Sequence, residues 1–148
     1  GEAPDDHLAA LRKHALRTLL KRGDPAAMEL LGFRPDPDVK LAAIEVDPDV
    51  PSIGGSAHLR FTLASATSDE TQPLMVDYAI HYVKANGTTA PKVFKLKTIE
   101  LGPGETVALR RKLTFVQMTT RTHRPGTHRV EIQVNGTVIG GLDFELDD

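Results

Sequence analysis

The spacing of hydrophobic residues changes at a short proline-rich segment, Arg34–Asp38, and this change limits the folds open to the chain. Before the segment, apolar residues such as Leu8, Leu11 and Leu19 recur with the spacing of a helix face. After it, apolar and polar residues alternate, which is the period of a strand with one buried face. Because two prolines in three residues stop a helix and stiffen an extended path, we predict a helical hairpin over 1–33, a linker over 34–38 and a β domain over 39–148.

Two helices are predicted in residues 1–33. The first begins at Asp5 or Asp6 and ends at Gly23, a residue suited to the left-handed C-terminal position. The second follows at once over Pro25–Leu31, with Asp24 as its N-cap and proline at its first position.

Seven strands are predicted after the linker, separated by turn residues at short intervals. The predicted bounds are Val39–Val46, Ala57–Ala66, Leu74–Lys84, Lys92–Leu101, Glu105–Phe115, Thr127–Val134 and Thr137–Leu146. The Asn86-Gly87 and Asn135-Gly136 pairs favour type I′ hairpin turns, because both central residues of that turn need positive φ. This pattern indicates a mainly β fold, an immunoglobulin-like antiparallel β-sandwich of about seven strands.

His128 stands two residues before the inward-facing Val130, where many sandwiches place a corner tyrosine. We expect it to make a similar hydrogen bond to the backbone; a plain surface histidine and a functional histidine are the alternatives.

Several classes of site are excluded by residue usage. The chain has no cysteine, which excludes disulfides, thiol nucleophiles and cysteine-bound metals and fits a reducing, cytoplasmic location. No apolar run approaches the roughly 20 residues of a membrane span, so no membrane partner is expected. The six histidines are scattered, and no phosphate-loop, dinucleotide or nucleophile-elbow motif is present. No catalytic residue, metal site or cofactor is therefore predicted.

The formal net charge of −2 conceals a strong segregation of charge along the chain. Residues 81–129 hold ten basic and two acidic side chains, a balance of +8, whereas residues 1–80 and 131–148 each carry −5. Such a segment is typical of a surface that contacts phosphates, although lysines on solvated edge strands also prevent aggregation. Both interpretations remain open at this point.

Candidate DNA-binding residues come from the basic segment. Lys95 and Lys97 are predicted to share one strand face, as are Arg110 and Lys112, and a cationic surface forms if their strands are neighbours. Arg111 interrupts the inward pattern and suggests a bulge or a buried pair. The proposed set is Lys84, Lys92, Lys95, Lys97, Arg110, Lys112, Arg121, His123 and Arg124.

Three stretches resemble a known family. Residues His14–Phe33 resemble the end of the helical-repeat region of bacterial DNA alkylation repair proteins, the HEAT-like-repeat glycosylases of the AlkC/AlkD superfamily. Asp77–Gly87 with Pro91–Lys97 resembles the C-terminal extension of some members, and Pro125–Gly136 completes it. The resemblance covers roughly residues 10–148.

The resemblance implies a C-terminal part of a longer repair protein, an expectation that the missing initiator methionine also favours. The family removes alkylated bases with aromatic and acidic side chains of its repeats, and no residue here matches those positions. We therefore expect a non-catalytic accessory domain that contacts double-stranded DNA. The alternatives are a structural module that caps the helical repeats and an enzyme in its own right; whether the parent protein is a glycosylase stays open.

Overall fold

The computed structural model describes residues 24–148, so the predicted helix that ends at Gly23 lies outside the described part of the chain. The histidines at positions 7 and 14 lie outside it as well.

Helix α1 spans Pro25–Leu30 and confirms the second predicted helix. The carboxylate of Asp24 caps it by accepting hydrogen bonds from the backbone N–H groups of Ala26 and Ala27, at 2.9 and 3.1 Å. Gly32, with φ of 84°, follows the helix and allows the chain to turn away. No helix among residues 24–148 has the length and apolar character needed to cross a membrane.

Seven strands follow, as the alternating pattern predicts. They are β1 Val39–Asp47, β2 Ser56–Ser65, β3 Gln72–Val83, β4 Thr89–Leu101, β5 Thr106–Thr114, β6 Gly126–Val134 and β7 Thr137–Leu146. Polar and apolar residues of β2 and β6 alternate between the outer surface and the interior, and this period is the signal from which the strands are predicted.

The strands form two antiparallel sheets that enclose one core. The first sheet has the order β1-β2-β5 and the second the order β4-β3-β6-β7. Inward side chains of the central strands, among them Leu59, Leu63, Val76 and Ile132, have no exposed surface. The fold is therefore the predicted mainly β, two-sheet sandwich.

Strands β4 and β5 are not neighbours in one sheet. Each is the edge strand of a different sheet, and the two edges meet on one side of the sandwich, while β1 and β7 meet on the other. The condition under which β4 and β5 form one flat cationic face is thus not met; their charges instead border an edge where two sheets meet.

The two Asn-Gly hairpins differ in their turns. Asn135 and Gly136 have φ of 52° and 84°, as a type I′ turn requires. At the other hairpin only Gly87 has positive φ, and the type I′ prediction for Asn86-Gly87 is wrong. The Asn86 carboxamide oxygen instead accepts hydrogen bonds from the N–H and hydroxyl of Thr88, which favours a different loop geometry.

Candidate nucleic-acid interface

The side of the sandwich where β4 meets β5 is strongly basic. Within these two strands there are six cations and one carboxylate, Glu100. We call this side the basic seam, and its cations are Lys92, Lys95, Lys97, Arg110, Arg111 and Lys112.

The opposite side, where β1 meets β7, has the reverse charge. These strands hold one cation, Lys40, and four carboxylates. Three of the carboxylates are paired with arginines of the inner strands: Arg60 contacts Glu45 and Asp47, at 3.4 and 3.0 Å, and Arg129 contacts Asp143 at 2.9 Å. The fold therefore converts a charge pattern along the sequence into a charge difference between two sides of one domain.

Most cations of the basic seam have no carboxylate partner. In the described region, residues 24–148, no carboxylate oxygen lies within 4 Å of the charged groups of Lys92, Lys97, Arg110 or Lys112. All four residues are exposed. Two further predicted residues, Lys84 after β3 and Arg124 before β6, are exposed as well. Exposed, unpaired cations are the groups that phosphates would contact.

Lys95 differs from its neighbours because it serves a buried acid. Its ammonium group lies 3.3 Å from a carboxylate oxygen of Asp77, whose side chain is 4% exposed. Burial raises the pKa of Asp77, and the charge and hydrogen bond of Lys95 oppose that rise. Removing Lys95 would leave a buried acid without its counter-ion, so Lys95 has a structural role here.

A β-bulge separates Lys95 from Lys97. Asp77 pairs with Lys95 and Val76 with Lys97, which leaves Leu96 as an extra residue in β4. Lys95 and Lys97 are nevertheless both exposed, while Phe94 and Leu96 pack against the core, in agreement with the predicted alternation.

Arg111 joins the two sheets across the basic seam. Its guanidinium donates a hydrogen bond, at 3.2 Å, to the carbonyl oxygen of Leu96, the bulged residue of β4. The break in the inward pattern at Arg111 thus reflects a contact between sheets, with the bulge on the opposite strand.

Arg121 contacts two aromatic side chains of the sandwich. Its guanidinium lies 4.6 Å from the ring centroid of Tyr82 and 5.3 Å from that of Phe94, and it donates a hydrogen bond to the Tyr82 hydroxyl at 3.4 Å. Such stacking orients the side chain toward the rings of β3 and β4. No local sequence pattern predicts this contact, since Arg121 is far from Tyr82 and Phe94 in the chain.

Replacing Arg121 tests this structural role. Arg121→Ala is expected to lower the free energy of unfolding by about 1–3 kcal/mol, because a cation–π contact and a hydrogen bond are lost. Arg121→Lys keeps the charge but loses the planar stack, so we expect it to destabilise as well. Urea denaturation measures both, with exposed Arg124→Ala as the control; equal stability of Arg121→Lys and the wild type would contradict the stacking role.

His123, one of the residues predicted to contact DNA, is buried. The residue is only 3% exposed, and its ring packs against those of Tyr82 and Phe115. The carboxamide of Gln117 holds its backbone from both sides, accepting from the N–H at 2.6 Å and donating to the carbonyl at 2.8 Å. Residues 115–125 carry no strand alternation from which this burial could be predicted.

His128 confirms the predicted backbone contact. Its Nδ1 lies 3.1 Å from the carbonyl oxygen of Gly126, and the residue is 1% exposed. The ring packs against Phe115 and Phe144. A plain surface histidine is inconsistent with a ring enclosed in this way.

A polar cluster lies on the outer face of β3 and β6. His81 Nε2 is 2.6 Å from a carboxylate oxygen of Glu131, and Arg129 contacts the same carboxylate at 3.3 Å. These contacts hold the pKa of Glu131 below its usual value, His81 having the largest effect. Within residues 24–148 no three histidine, aspartate or glutamate side chains converge in a way that could hold a metal ion.

Known proteins share this domain. The family model described as "Uncharacterised protein YhaZ, C-terminal Ig-like domain" matches residues 40–148. The Bacillus subtilis (strain 168) "Uncharacterized protein YhaZ" is 36% identical over 140 residues, which cover 95% of this chain and 38% of that protein.

Solved structures give a consistent result. The Pseudomonas fluorescens alkylpurine DNA glycosylase AlkC, bound to DNA containing an abasic site analog, matches with 43% identity and a TM-score of 0.85 over 98% of this chain and 40% of that one. A Listeria innocua β-glucosidase, at 17% identity and a TM-score of 0.57 over 74% of this chain and 16% of that one, shares the fold alone. The chain spans about two fifths of the length of the YhaZ and AlkC proteins.

Proposed function

The chain belongs to the YhaZ C-terminal Ig-like domain family, and from this premise we propose that it is a non-catalytic accessory domain of a DNA alkylation repair protein. In this role it contributes sequence-independent contacts to the backbone of double-stranded DNA. The likeness to an alkylpurine DNA glycosylase that was solved with DNA supports the proposal.

The charge difference between the two sides of the sandwich is the observation that carries the proposal. Charges that only prevent aggregation need no particular sign, yet the β1/β7 side carries four carboxylates and a single cation. The cations collect instead along the basic seam, where Lys92, Lys97, Arg110 and Lys112 are exposed. Because phosphates repeat along both DNA strands, a row of such cations would bind without reading sequence.

A salt titration of DNA binding tests the proposal. The affinity of the 148-residue chain for two undamaged duplexes of unrelated sequence is measured by fluorescence anisotropy from 50 to 300 mM salt. If the four unpaired cations each contact a phosphate, the logarithm of the binding constant falls with the logarithm of salt with a slope of about −4. A slope near zero, or binding to one duplex only, would contradict backbone contact.

A structural module that caps the helical region is the second candidate, and the contacts of α1 favour it. Met28 and Phe33 pack with Met75 of β3 in a small buried cluster separate from the main core. Stacked helical repeats need such a terminal cover for their apolar face. Deleting the matching domain from the Bacillus subtilis YhaZ would then lower that protein's thermal stability and leave its DNA affinity unchanged, whereas the first proposal expects affinity to fall.

A further inference from the structure

The segment that joins α1 to the sandwich is attached to it at several points. Asn135, in the turn between β6 and β7, contacts a part of the chain 101 residues away: its Nδ2 donates to the carbonyl oxygen of Arg34 at 2.7 Å. The same side chain accepts a hydrogen bond from the Met75 N–H at 2.8 Å, and the Asn135 N–H donates to the Met75 carbonyl at 2.9 Å. One residue thus connects β3, the β6–β7 turn and the joining segment.

Asn135 is unusual among the turn residues of this fold. Within residues 24–148 it is the one residue besides glycine that has positive φ, and it is 2% exposed. An exposed hairpin turn would need only the backbone conformation, which glycine also supplies. The buried carboxamide, with both of its polar atoms hydrogen-bonded, therefore has a second role.

Gln72 makes the second attachment. Its Oε1 accepts from the Asp38 N–H at 2.8 Å, and its Nε2 donates to the Asp38 carbonyl at 3.0 Å. The side-chain amide thereby pairs with Asp38 as a neighbouring strand would. Arg34 donates to the same Oε1 at 3.3 Å and contacts Glu70 at 3.7 Å.

Apolar packing makes the third attachment. Ala27, Met28 and Phe33 are all buried together with Met75. The end of the Met28 side chain also lies close to Gly136, beside Asn135 in the turn. Three separate attachments restrict the bending and twisting that a single linker would permit.

We propose that Asn135 and Gln72 form a latch that fixes the direction in which α1 leaves the sandwich. The latch would hold the basic seam in one orientation relative to α1. Prolines 35 and 37 stiffen the joining segment but do not by themselves choose a direction, since they fix φ alone. Asn135 and Gln72 are therefore positioning residues, and this inference holds whether or not the basic seam binds DNA.

A distance measurement on the full chain tests the latch. Because the chain has no cysteine, the changes Glu29→Cys on α1 and Thr98→Cys on β4 create a single, unambiguous pair of spin-label sites. Both positions are exposed. Double electron–electron resonance is expected to give one narrow distance distribution in an otherwise unchanged chain.

Two latch variants are then compared in the labelled chain. Asn135→Gly keeps a backbone suited to positive φ and removes both side-chain hydrogen bonds, so the narrow peak is expected to be lost. Gln72→Leu removes the Asp38 pairing and is expected to act in the same direction. Asn86→Gly, the same change in the other hairpin, is the control and is expected to keep the narrow peak.

The width of the distance distribution in the starting chain and in the two variants decides whether the latch exists. A narrow peak that persists in both latch variants, or a broad distribution in the starting chain, overturns the proposal. Circular dichroism and a cooperative thermal transition verify that each variant keeps the sandwich. If Asn135→Gly loses the sandwich itself, then Gln72→Leu decides, because it leaves the β6–β7 turn unchanged.

Discussion

Reversing the charge of Lys97 is expected to weaken duplex DNA binding about tenfold at 0.1 M salt. One phosphate contact contributes about 0.9 to the slope of the logarithm of the binding constant against the logarithm of the salt concentration, so at 0.1 M salt, relative to 1 M, it strengthens binding by about one factor of ten. Lys97 is exposed and, within residues 24–148, has no carboxylate within 4 Å, so Lys97→Glu breaks no ion pair. Combining it with Lys112→Glu on β5 removes two contacts and is expected to cost roughly 50-fold or more. Fluorescence anisotropy across the salt series gives both the affinity and the slope.

Lys40→Glu is the matched control for Lys97→Glu. It makes the same charge change on an exposed edge strand, but on the β1/β7 side of the sandwich. We expect less than about a twofold effect there, since non-specific long-range attraction is largely screened over about 10 Å at 0.1 M salt. Equal losses in the two variants would mean that net charge alone, and not the basic seam, sets the affinity.

Lys95 is a poor probe of DNA binding, although the charge pattern along the chain makes it a natural choice. Lys95→Glu would place a second carboxylate beside buried Asp77. Repulsion and the lost counter-ion would destabilise the domain, and a fall in DNA affinity could follow from that alone. The structure thus changes which lysines should be tested.

Acidification from pH 7 to pH 5.5 is expected to destabilise the sandwich strongly. His123 and His128 are buried against Phe115, and burial is the main cause that lowers the pKa of each. His123 Nδ1 and His128 Nε2 have no hydrogen-bond partner among the described residues. A protonated imidazole donates from both nitrogens, so each ring would carry an unsatisfied buried donor after protonation.

The sign of the effect follows from these shifts. The unfolded chain takes up protons on both histidines as the pH falls through about 6.5, while the folded chain takes them up only at lower pH. The stability that these two groups contribute is therefore fully present above about pH 7 and decreases as the pH falls through 6.5, with a slope of at most roughly 2.7 kcal/mol per pH unit. Asp77, whose pKa burial raises, acts in the opposite direction.

Urea denaturation at several pH values measures this slope. His123→Phe keeps a ring in the cluster and removes one titrating group, so we expect about half of the slope to remain. His58→Gln is the control, because His58 is exposed on β2. A stability that does not change between pH 7 and pH 5.5 would contradict the assignment of the two buried histidines.

Much of the fold is predictable from local patterns. The strands arise because side chains of a strand alternate between faces, so burial on one face appears in the sequence as period two. Asp24-Pro25 predicts the start of α1 for an equally local reason, since the cap and the first turn lie within four residues. The resemblance is confirmed in part, since residues 40–148 belong to the YhaZ C-terminal Ig-like domain family and the chain matches the structure of an alkylpurine DNA glycosylase, AlkC; the helical repeats remain a prediction.

The candidate interface is less predictable, because it depends on contacts between distant residues. Sequence alone gives the basic segment but not its division between two sheet edges. His123 lies in a stretch without alternation, and its ring is covered by Tyr82 of β3 and by Phe115, which follows β5. The Asn135-Gly136 turn is predicted from two residues, yet the contact of Asn135 with Arg34 is not.

The sequence by itself determined which segments form strands, where the helical spacing stops, and that positive charge is concentrated in residues 81–129. Only the tertiary structure decided which cations are free to meet a phosphate, since Lys95 and Arg121 are held by Asp77 and Tyr82 while Lys97 is not. It also decided that β4 and β5 meet as edges and that the segment after α1 is hydrogen-bonded to the β6–β7 turn. Local propensities act over a few residues, whereas pairing and burial depend on groups brought together from across the whole chain.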